Sequence, residues 1–316
     1  LYWAPRFFRT ARKYQKPGTA AWKLFCMDYD PNKFYFQESW NRHWYARCWE
    51  LIEKYDPDMF NNDSPYPNDR RGQALGLKLF AAFLLRDRKA HQGRQTVVLS
   101  FKNAGMNRAA FTYNCERGMS AQIQKYPWLW ATDLSGGWFY RKNARPRYTI
   151  PVLIGNVVDT ISKNGIAMLN VALRGDGTLP ENQANMLRAL GKFLDLNAEA
   201  VYGTRPWRVY GEGPTRIQSR RGGENIRPYT SRDIRFTCRG NDLYTFVLAP
   251  PKQGNIMIQT LREGGPLSEQ IQSISLLGSD ASVHWTRSAK GLRIECPRTL
   301  PQQPVIVFKL TLAKKP

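Results

Sequence analysis

Helix-like and strand-like segments alternate along the first two thirds of the chain, and this alternation most constrains the fold. Apolar side chains recur at helical spacing over residues 41–55, and Pro57 ends that pattern just before a short apolar strand at 59–60. The order repeats downstream, with helices predicted near 72–88, 151–161 and 180–194 and strands at 96–101, 109–113 and 167–173. Such alternation is typical of a parallel sheet covered by helices, either a barrel or a doubly wound sheet. A glycine-rich phosphate loop is absent, which favours the barrel.

Beyond Trp207 the pattern changes to short apolar runs separated by turn residues. Seven such runs predict strands, at 234–238, 243–248, 256–261, 274–277, 283–286, 292–296 and 305–312. Closely spaced short strands of this kind indicate an antiparallel β-sandwich. Glycine, proline and arginine crowd together over 211–223, where we place the boundary. The predicted organisation is therefore a partial (β/α)8-type catalytic barrel over 1–210 and a C-terminal β-sandwich over 211–316.

The chain of 316 residues carries a formal net charge of +22, which raises nucleic acid as a partner. Its basic residues are spread out, apart from one concentration of seven arginines: Arg216, Arg220, Arg221, Arg227, Arg232, Arg235 and Arg239. No helix-turn-helix, zinc-finger or RNP-type pattern accompanies them. We therefore interpret the charge as solvated surface and expect no nucleic-acid partner. No run reaches the roughly 18 apolar residues of a membrane span, so we expect no membrane partner.

The five cysteines, Cys26, Cys48, Cys115, Cys238 and Cys296, lie far apart and include no Cys-x-x-Cys pair. With only three histidines in the chain, a zinc site is not expected, and no other metal or cofactor is expected. Cys238 and Cys296 share the C-terminal segment, so a disulfide between them stays open beside the simpler interpretation of free buried thiols.

Two carboxylates, Asp63 and Glu116, each follow a predicted strand. In a parallel barrel the loops after the strands converge on one face, so residues distant in sequence meet there. Retaining glycoside cleavage needs such a pair, with one carboxylate as nucleophile and one carboxylic acid as proton donor. Asp63 also lies in the turn-like sequence Asn-Asn-Asp-Ser-Pro, and from spacing alone the turn interpretation is the stronger one.

Longer motifs change that balance. Residues 55–63, Tyr-Asp-Pro-Asp-Met-Phe-Asn-Asn-Asp, resemble the segment of glycoside hydrolase family 29, the α-L-fucosidases, that leads along a strand to the nucleophilic aspartate. Asp63 stands at that position. Residues 114–118, Asn-Cys-Glu-Arg-Gly, followed by Ile-Gln-Lys-Tyr-Pro-Trp at 123–128, resemble the acid/base segment of many bacterial members. Glu116 matches the family's catalytic glutamate.

The longest resemblance to this family lies in segments that carry no chemistry. Five segments follow the family's order and spacing, at 157–165, 169–171, 176–180, 197–204 and 206–207. The C-terminal part conforms as well, at 229–230, 233–237, 243–244, 276–279 and Trp285. The resemblance therefore spans about residues 40–312, and most of these residues are expected to be scaffold.

The resemblance implies a retaining exo-α-L-fucosidase that acts on a fucosylated oligosaccharide or glycoconjugate in a secreted or periplasmic setting. Trp138 is the aromatic residue best placed by the resemblance to line the sugar pocket. Further aromatic residues near the presumed site are Trp128, Trp130, Phe139 and Tyr140. A noncatalytic carbohydrate-binding relative of the same fold is the alternative, suggested by Asn61-Asn62 where the family has aromatic residues.

The resemblance also predicts that the barrel is incomplete. Three strand-helix units of roughly 30 residues each would precede the nucleophile strand, whereas only 62 residues precede Asp63. The chain begins with Leu1 rather than Met, and a targeting segment is not found. His43, His91 and His284 match none of the histidines that hold fucose in the family. We therefore expect little or no activity from these 316 residues alone.

Overall fold

The structure is a computed structural model that describes residues 38–62, 73–102, 107–219, 222–251 and 254–316. The chain divides into two compact units, Leu1–Asn114 and Cys115–Pro316. In the described residues, no helix is both long enough and apolar enough to cross a membrane. The predicted domain boundary at 210/211 stays a prediction.

In its described residues, the first unit contains two helices and the first strands of a parallel sheet. Its elements are α1 (Glu38–Tyr55), β1 (Met59–Asn62), α2 (Gln73–Ala90), β2 (Val98–Phe101) and the beginning of β3 (Thr112–Glu116). Strand β1 runs parallel to β2, with Met59 opposite Val98, and β2 runs parallel to β3. The helices cover this sheet through a buried apolar cluster of Ile52, Leu79, Phe80, Phe83, Leu99, Phe101 and Phe111. The predicted order of helix and strand is confirmed here.

The second unit continues the same alternation. Its elements are β4 (Trp128–Asp133), α3 (Ile150–Ile161), β5 (Gly165–Asn170), α4 (Glu181–Leu196) and the short α5 (Ala198–Val201). Strands β4 and β5 are parallel, with Trp128 opposite Gly165. Across the whole sheet the strand order is β1-β2-β3-β4-β5, which follows the chain. In the described residues a helix joins β1 to β2 and another joins β4 to β5. Parallel strands in chain order, connected through helices, are the arrangement of a partial (β/α)8 barrel, as predicted.

Strand β4 corrects the sequence-based prediction, which has no strand between residue 113 and the helix at 151. All six of its residues, from Trp128 to Asp133, are buried. A strand covered on both faces shows no alternation of apolar and polar residues, and its sequence Trp-Leu-Trp-Ala-Thr-Asp also contains two polar side chains. Periodicity alone therefore does not reveal it.

A pair of antiparallel sheets forms the sandwich. One has the order β10-β13-β8-β7-β6 and the other β11-β12-β9. The strands are β6 (Arg205–Glu212), β7 (Ile234–Arg239), β8 (Asp242–Val247), β9 (Asn255–Ile258), β10 (Ile271–Leu276), β11 (His284–Ser288), β12 (Gly291–Glu295) and β13 (Ile306–Leu312). All seven predicted strands are present, although the last three residues of the predicted 256–261 strand form a 3-10 turn. Strand β6 was not predicted.

Arg235 corrects the interpretation of the arginine concentration as solvated surface. Its side chain on β7 is buried, and its Nε donates to Asp159 Oδ1 of α3 at 2.5 Å. Lys163 is also buried, and its Nζ donates to both oxygens of Asp159, at 2.9 and 2.7 Å. One charge of the concentration therefore belongs to a buried ionic cluster, because Asp159 compensates it.

Cys238 and Cys296 are both free thiols, so the disulfide left open by the sequence does not form. Each is half-buried and packs against the sandwich core. Burial raises the pKa of both thiols, as expected for side chains that act as small apolar groups.

Candidate active site

Three parallel strands bring polar side chains to one edge of the sheet. Glu116, Asp133 and Asn170 are the last residues of β3, β4 and β5. Glu116 and Asp133 are buried, and Asn170 is half-buried. Catalytic groups in barrels of this type stand at the carboxyl ends of strands, so this edge is the candidate site.

The chain turns sharply directly after Glu116. Arg117 has a φ of +48°, in the left-handed region that a residue with a Cβ seldom adopts. Its N–H donates to the carbonyl of Ala131 on β4 at 2.8 Å, which holds the turn against the neighbouring strand. The position of the Glu116 backbone is thereby tied to the sheet, as expected of a group that must be held in place.

The Arg117 side chain connects the strand ends to an aromatic ring. Its Nη2 donates to Asp133 Oδ2 at 2.6 Å, and its Cζ lies 4.8 Å from the centre of the Trp138 ring. Such a cation above an indole is attractive. Asn170 Nδ2 donates to the Trp138 carbonyl at 3.0 Å, so the backbone of Trp138 is also held, from β5. Arg117 directly after β3, Asp133 of β4 and Asn170 of β5 therefore position this tryptophan.

The predicted aromatic residues differ in exposure. Trp128 and Trp130 are 2% and 0% exposed, and their indole N–H groups donate inward, to Lys163 O at 3.0 Å and to Glu224 Oε1 at 2.8 Å. Trp138 is half-buried, and Tyr140 is 41% exposed. Contact with a sugar requires surface, so Trp138, Tyr140 and Phe139, which is 76% exposed, are the better-placed members of the predicted set.

The carboxylate of Glu224 was not singled out from the sequence. Its side chain is 1% exposed, and Arg147 donates to its Oε2 through Nε at 2.9 Å and Nη2 at 2.7 Å. With Trp130 on its other oxygen, both carboxylate oxygens are satisfied. Glu224 therefore connects three parts of the chain: its own segment, the segment that carries Arg147, and strand β4, which carries Trp130.

Asp63, the predicted nucleophile, lies outside the described residues, so its role stays a prediction. The sequence also does not single out Arg117, Asp133 or Asn170 as site residues. For Asp133 the reason is that β4 is not predicted as a strand. In the described ranges no three His, Cys, Asp or Glu side chains are grouped to hold a metal ion.

Known proteins similar to this chain are α-L-fucosidases. The family model "Alpha-L-fucosidase" matches residues 9–199, and the model "Alpha-L-fucosidase C-terminal domain" matches 227–311. The tissue α-L-fucosidase of Rattus norvegicus is 26% identical over 275 residues, covering 83% of this chain and 54% of its own length. The human tissue α-L-fucosidase is 24% identical over 273 residues, covering 84% of this chain and 53% of its own length. This chain therefore spans about half the length of these relatives.

A solved structure agrees in fold. The Thermotoga maritima α-fucosidase, described as in complex with a mechanism-based inhibitor, has a TM-score of 0.69 and 22% identity. The match covers 87% of this chain and 57% of that one. Because one family model matches more than half of the chain and the second matches the sandwich, this chain belongs to the α-L-fucosidase family.

Proposed function

We propose that the chain carries the two catalytic carboxylates of a retaining exo-α-L-fucosidase. The observation that supports this proposal is the placement of Glu116. It is a buried carboxylate at the end of β3, on the edge that also holds Asp133 and Trp138, in a chain of the α-L-fucosidase family. A general acid needs such a position at the carboxyl end of a barrel strand.

In the proposed mechanism Asp63 attacks the anomeric carbon of a terminal α-L-fucosyl residue and forms a covalent glycosyl-enzyme. Glu116 protonates the departing oxygen and then removes a proton from the water that releases fucose. The two carboxyls of a competent retaining site lie about 5 to 5.5 Å apart. That separation is expected for Asp63 and Glu116.

The proposed substrate is a fucosylated oligosaccharide or glycoconjugate, met by a secreted or periplasmic protein. Fucose has a methyl group at C6 and an apolar ring face, which favour contact with an aromatic ring. Trp138 supplies such a ring, held by Arg117 on its face and by Asn170 on its backbone. No cofactor takes part in this mechanism.

We further propose that these 316 residues alone hydrolyse fucosides slowly or not at all. The parallel sheet contains five strands in the described residues, whereas a closed barrel of this type has eight, so part of the sugar pocket is not built by them. Hydrolysis of 4-nitrophenyl α-L-fucoside by the purified chain tests this. Turnover that disappears in Glu116→Gln would contradict the proposed inactivity while supporting the role of Glu116.

The two catalytic roles are tested in a chimera in which the N-terminal barrel half of the Thermotoga maritima enzyme precedes residue 40 of this chain. We expect Asp63→Gly to abolish hydrolysis and azide to restore it with a β-fucosyl azide product, because azide then attacks in place of the nucleophile. In Glu116→Ala, azide should instead give the α-fucosyl azide, since it intercepts the glycosyl-enzyme. Asp58→Asn, an exposed aspartate of the same segment, is the control and should retain activity.

The alternative is a noncatalytic carbohydrate-binding relative. Asn61-Asn62, where the family has aromatic residues, favours it, and Asn61 Oδ1 accepts a hydrogen bond from Asn114 Nδ2 of β3 at 3.3 Å. A 2-fluoro-fucosyl fluoride distinguishes the two functions. Covalent mass added to Asp63 in the chimera supports the enzyme, whereas reversible fucose binding without labelling supports the alternative.

A further inference from the structure

A cleft of about 240 Å³ opens beyond the carboxyl ends of β4 and β5, within the second unit. Residues that follow β4, residues that follow β5 and the first turn of α4 all contribute to its wall. Its lining includes Tyr140, Arg141, Arg174, Glu181, Asn182 and Gln183.

Hydrogen bonds between different segments hold this wall together. Gln183 is buried on α4, where its Oε1 accepts from Ala172 N at 2.9 Å and its Nε2 donates to Ala172 O at 3.3 Å. Asn182 Nδ2 donates to Ala144 O at 3.1 Å. Hydrogen bonds therefore connect the first turn of α4 to the segment after β4 and to the segment after β5. These bonds define the shape of the cleft wall.

Arg141 and Arg174 give the cleft a positive charge. Arg141 Nη2 donates to Gly136 O at 3.1 Å, and Arg174 Nη1 donates to Thr178 Oγ1 and Leu179 O, each at 3.0 Å. All three acceptors are neutral, and within the described part of the chain neither guanidinium has an ion-pair partner. A guanidinium has five N–H donors, so both arginines keep donors for a ligand.

The acidic side chains nearby are already engaged. Glu181, a lining residue, accepts from Arg188 Nη1 at 2.8 Å. Asp176, beside Arg174 in sequence, accepts from the N–H and hydroxyl of Thr178 at 2.9 and 2.7 Å. These carboxylates therefore reduce the positive charge of the cleft without occupying its arginines.

The cleft lies on the edge of the sheet that holds the candidate active site. Arg141 follows Trp138 by three residues, and the Trp138 carbonyl is bonded to Asn170 at the end of β5, four residues before Arg174. Between Trp138 and Arg141, Phe139 is 76% exposed and Tyr140 is 41% exposed. Exposed aromatic rings of this kind can stack on the apolar face of a sugar. A sugar attached to a fucose at Trp138 would therefore have an aromatic and cationic surface beside it.

We propose that this cleft binds an anionic substituent, a sulfate ester or a carboxylate, on the sugar that carries the fucose. Arg141 and Arg174 recognise the anion, because a guanidinium pairs with sulfate or carboxylate oxygens through two parallel N–H donors. The α4 N-terminus, which has no side-chain cap, favours the same sign of charge. The position of this sugar rests on the proposed function, whereas anion binding by the cleft does not.

Calorimetric titration of the purified chain tests anion binding separately from fucose chemistry. Lactose, sulfated lactose and sialylated lactose carry no fucose, and we expect at least one of the two anionic sugars to bind about tenfold or more tightly than lactose. Arg141→Gln/Arg174→Gln should remove that preference. Arg141→Gln alone is the second variant, since Arg141 has one internal hydrogen bond and its loss should not unfold the loop.

Arg262→Gln is the matched control, because it removes one exposed arginine of the sandwich that also bonds a backbone carbonyl. It should bind the anionic sugar as the unchanged chain does. Equal binding of all three lactoses, an unaltered preference in the double variant, or an equal loss in Arg262→Gln would each overturn the proposal. Arginine-dependent anion binding together with an unlabelled Asp63 in the chimera would uphold the cleft and reject the fucosidase mechanism. Labelling of Asp63 without anion binding would do the reverse.

Discussion

At the scale of single residues, the buried charge of Asp133 is compensated by Arg117. The carboxylate is fully buried at the end of β4, and its Oδ2 accepts from Arg117, whereas Asp133 Oδ1 and Arg117 Nε have no hydrogen-bond partner among the described residues. A buried charge without its partner is costly, so this pair holds its geometry only while both members are present.

Arg117→Met should therefore destabilise the protein. We expect the free energy of unfolding, measured by urea denaturation, to fall by about 3 kcal/mol, because Asp133 is left as an uncompensated buried charge. Arg117→Met combined with Asp133→Asn should recover most of that loss, since the buried charge is then absent. Equal stabilities of the single variant and the unchanged chain would show that Asp133 has another source of compensation.

Glu199 makes the stability depend on pH. Lys309 donates to its carboxylate at 2.7 Å and Tyr244 donates at 2.9 Å, and the Lys309 hydrogen bond is the main reason that its pKa lies below the ordinary 4.5, against the opposing effect of burial. The folded state thus binds a proton less readily than the unfolded state. The stabilisation is complete above about pH 4.5 and is lost as the pH falls through the lower, folded-state pKa.

Comparing unfolding at about pH 6 and about pH 3 tests this. Between these pH values the free energy of unfolding of the unchanged chain should fall by up to about 1 kcal/mol more than that of Glu199→Gln. The difference is small because the Glu199 side chain is 42% exposed and water screens the pair. Glu295→Gln serves as the control, since its carboxylate is 53% exposed and 4.0 Å from Arg293. A pH profile unaffected by Glu199→Gln would contradict the expectation.

At the scale of elements, helices α3 and α4 tolerate side chains differently. Gly155 of α3 faces the ring of Tyr229, and a methyl group at this position would lie 2.5 Å from its Cδ2. The ring has little room to move, because Tyr229 is buried and its hydroxyl donates to Asn156 Oδ1 at 2.8 Å. Gly191 of α4 has no atom within 4 Å of the same position. One glycine permits close packing, whereas the other only weakens its helix.

Alanine at each glycine should change stability in opposite directions. Gly155→Ala gains at most about 1 kcal/mol of helix propensity but introduces a clash that costs about 1 to 3 kcal/mol, so the net effect should be destabilising. Gly191→Ala should stabilise by about 0.5 to 1 kcal/mol. Thermal unfolding of both variants decides the matter, and a higher melting temperature for Gly155→Ala would show that Tyr229 moves aside.

At the scale of the whole molecule, the second unit contains both barrel helices and sandwich strands, and a buried ionic cluster joins them. Asp159 and Lys163 come from the region of α3, and Arg235 comes from β7. The aromatic ring of Tyr210, on β6, lies 4.4 Å from Lys163 Nζ and 5.4 Å from Arg235 Cζ. The Asp159 carboxylate is the counter-charge of both buried cations, so the stability of this cluster depends on it.

Asp159→Asn should loosen both layers together. We expect the free energy of unfolding to fall by about 3 to 5 kcal/mol, because two buried cations lose their counter-charge. Hydrogen exchange should then rise in α3 and in β7, not in α3 alone. Glu181→Gln, which breaks the exposed pair with Arg188, is the comparison and should cost less than about 1 kcal/mol. Faster exchange confined to one layer would show that the cluster does not couple them.

Local patterning in the sequence was sufficient for most of the fold. Helical spacing and Pro57 predict α1, Pro151 predicts α3, and alternation with turn residues predicts the strands of the sandwich. The strand pattern predicts that Glu116 lies where a strand ends, and Glu116 is the last residue of β3. The roles that the family motifs imply, Glu116 as acid/base and Asp63 as nucleophile, stay predictions. These features depend on neighbours in the chain, so a sequence contains them.

Only the tertiary structure decided the rest, because burial depends on residues far apart in sequence. Strand β4 has no readable period, since both of its faces are covered. Trp130 and Trp138 look alike in sequence, yet Glu224, 94 residues away from Trp130, holds that ring in the interior, whereas Trp138 lies beneath the Arg117 guanidinium at the candidate site. Arg235 reads as one of seven arginines until Asp159, 76 residues earlier, is found against it.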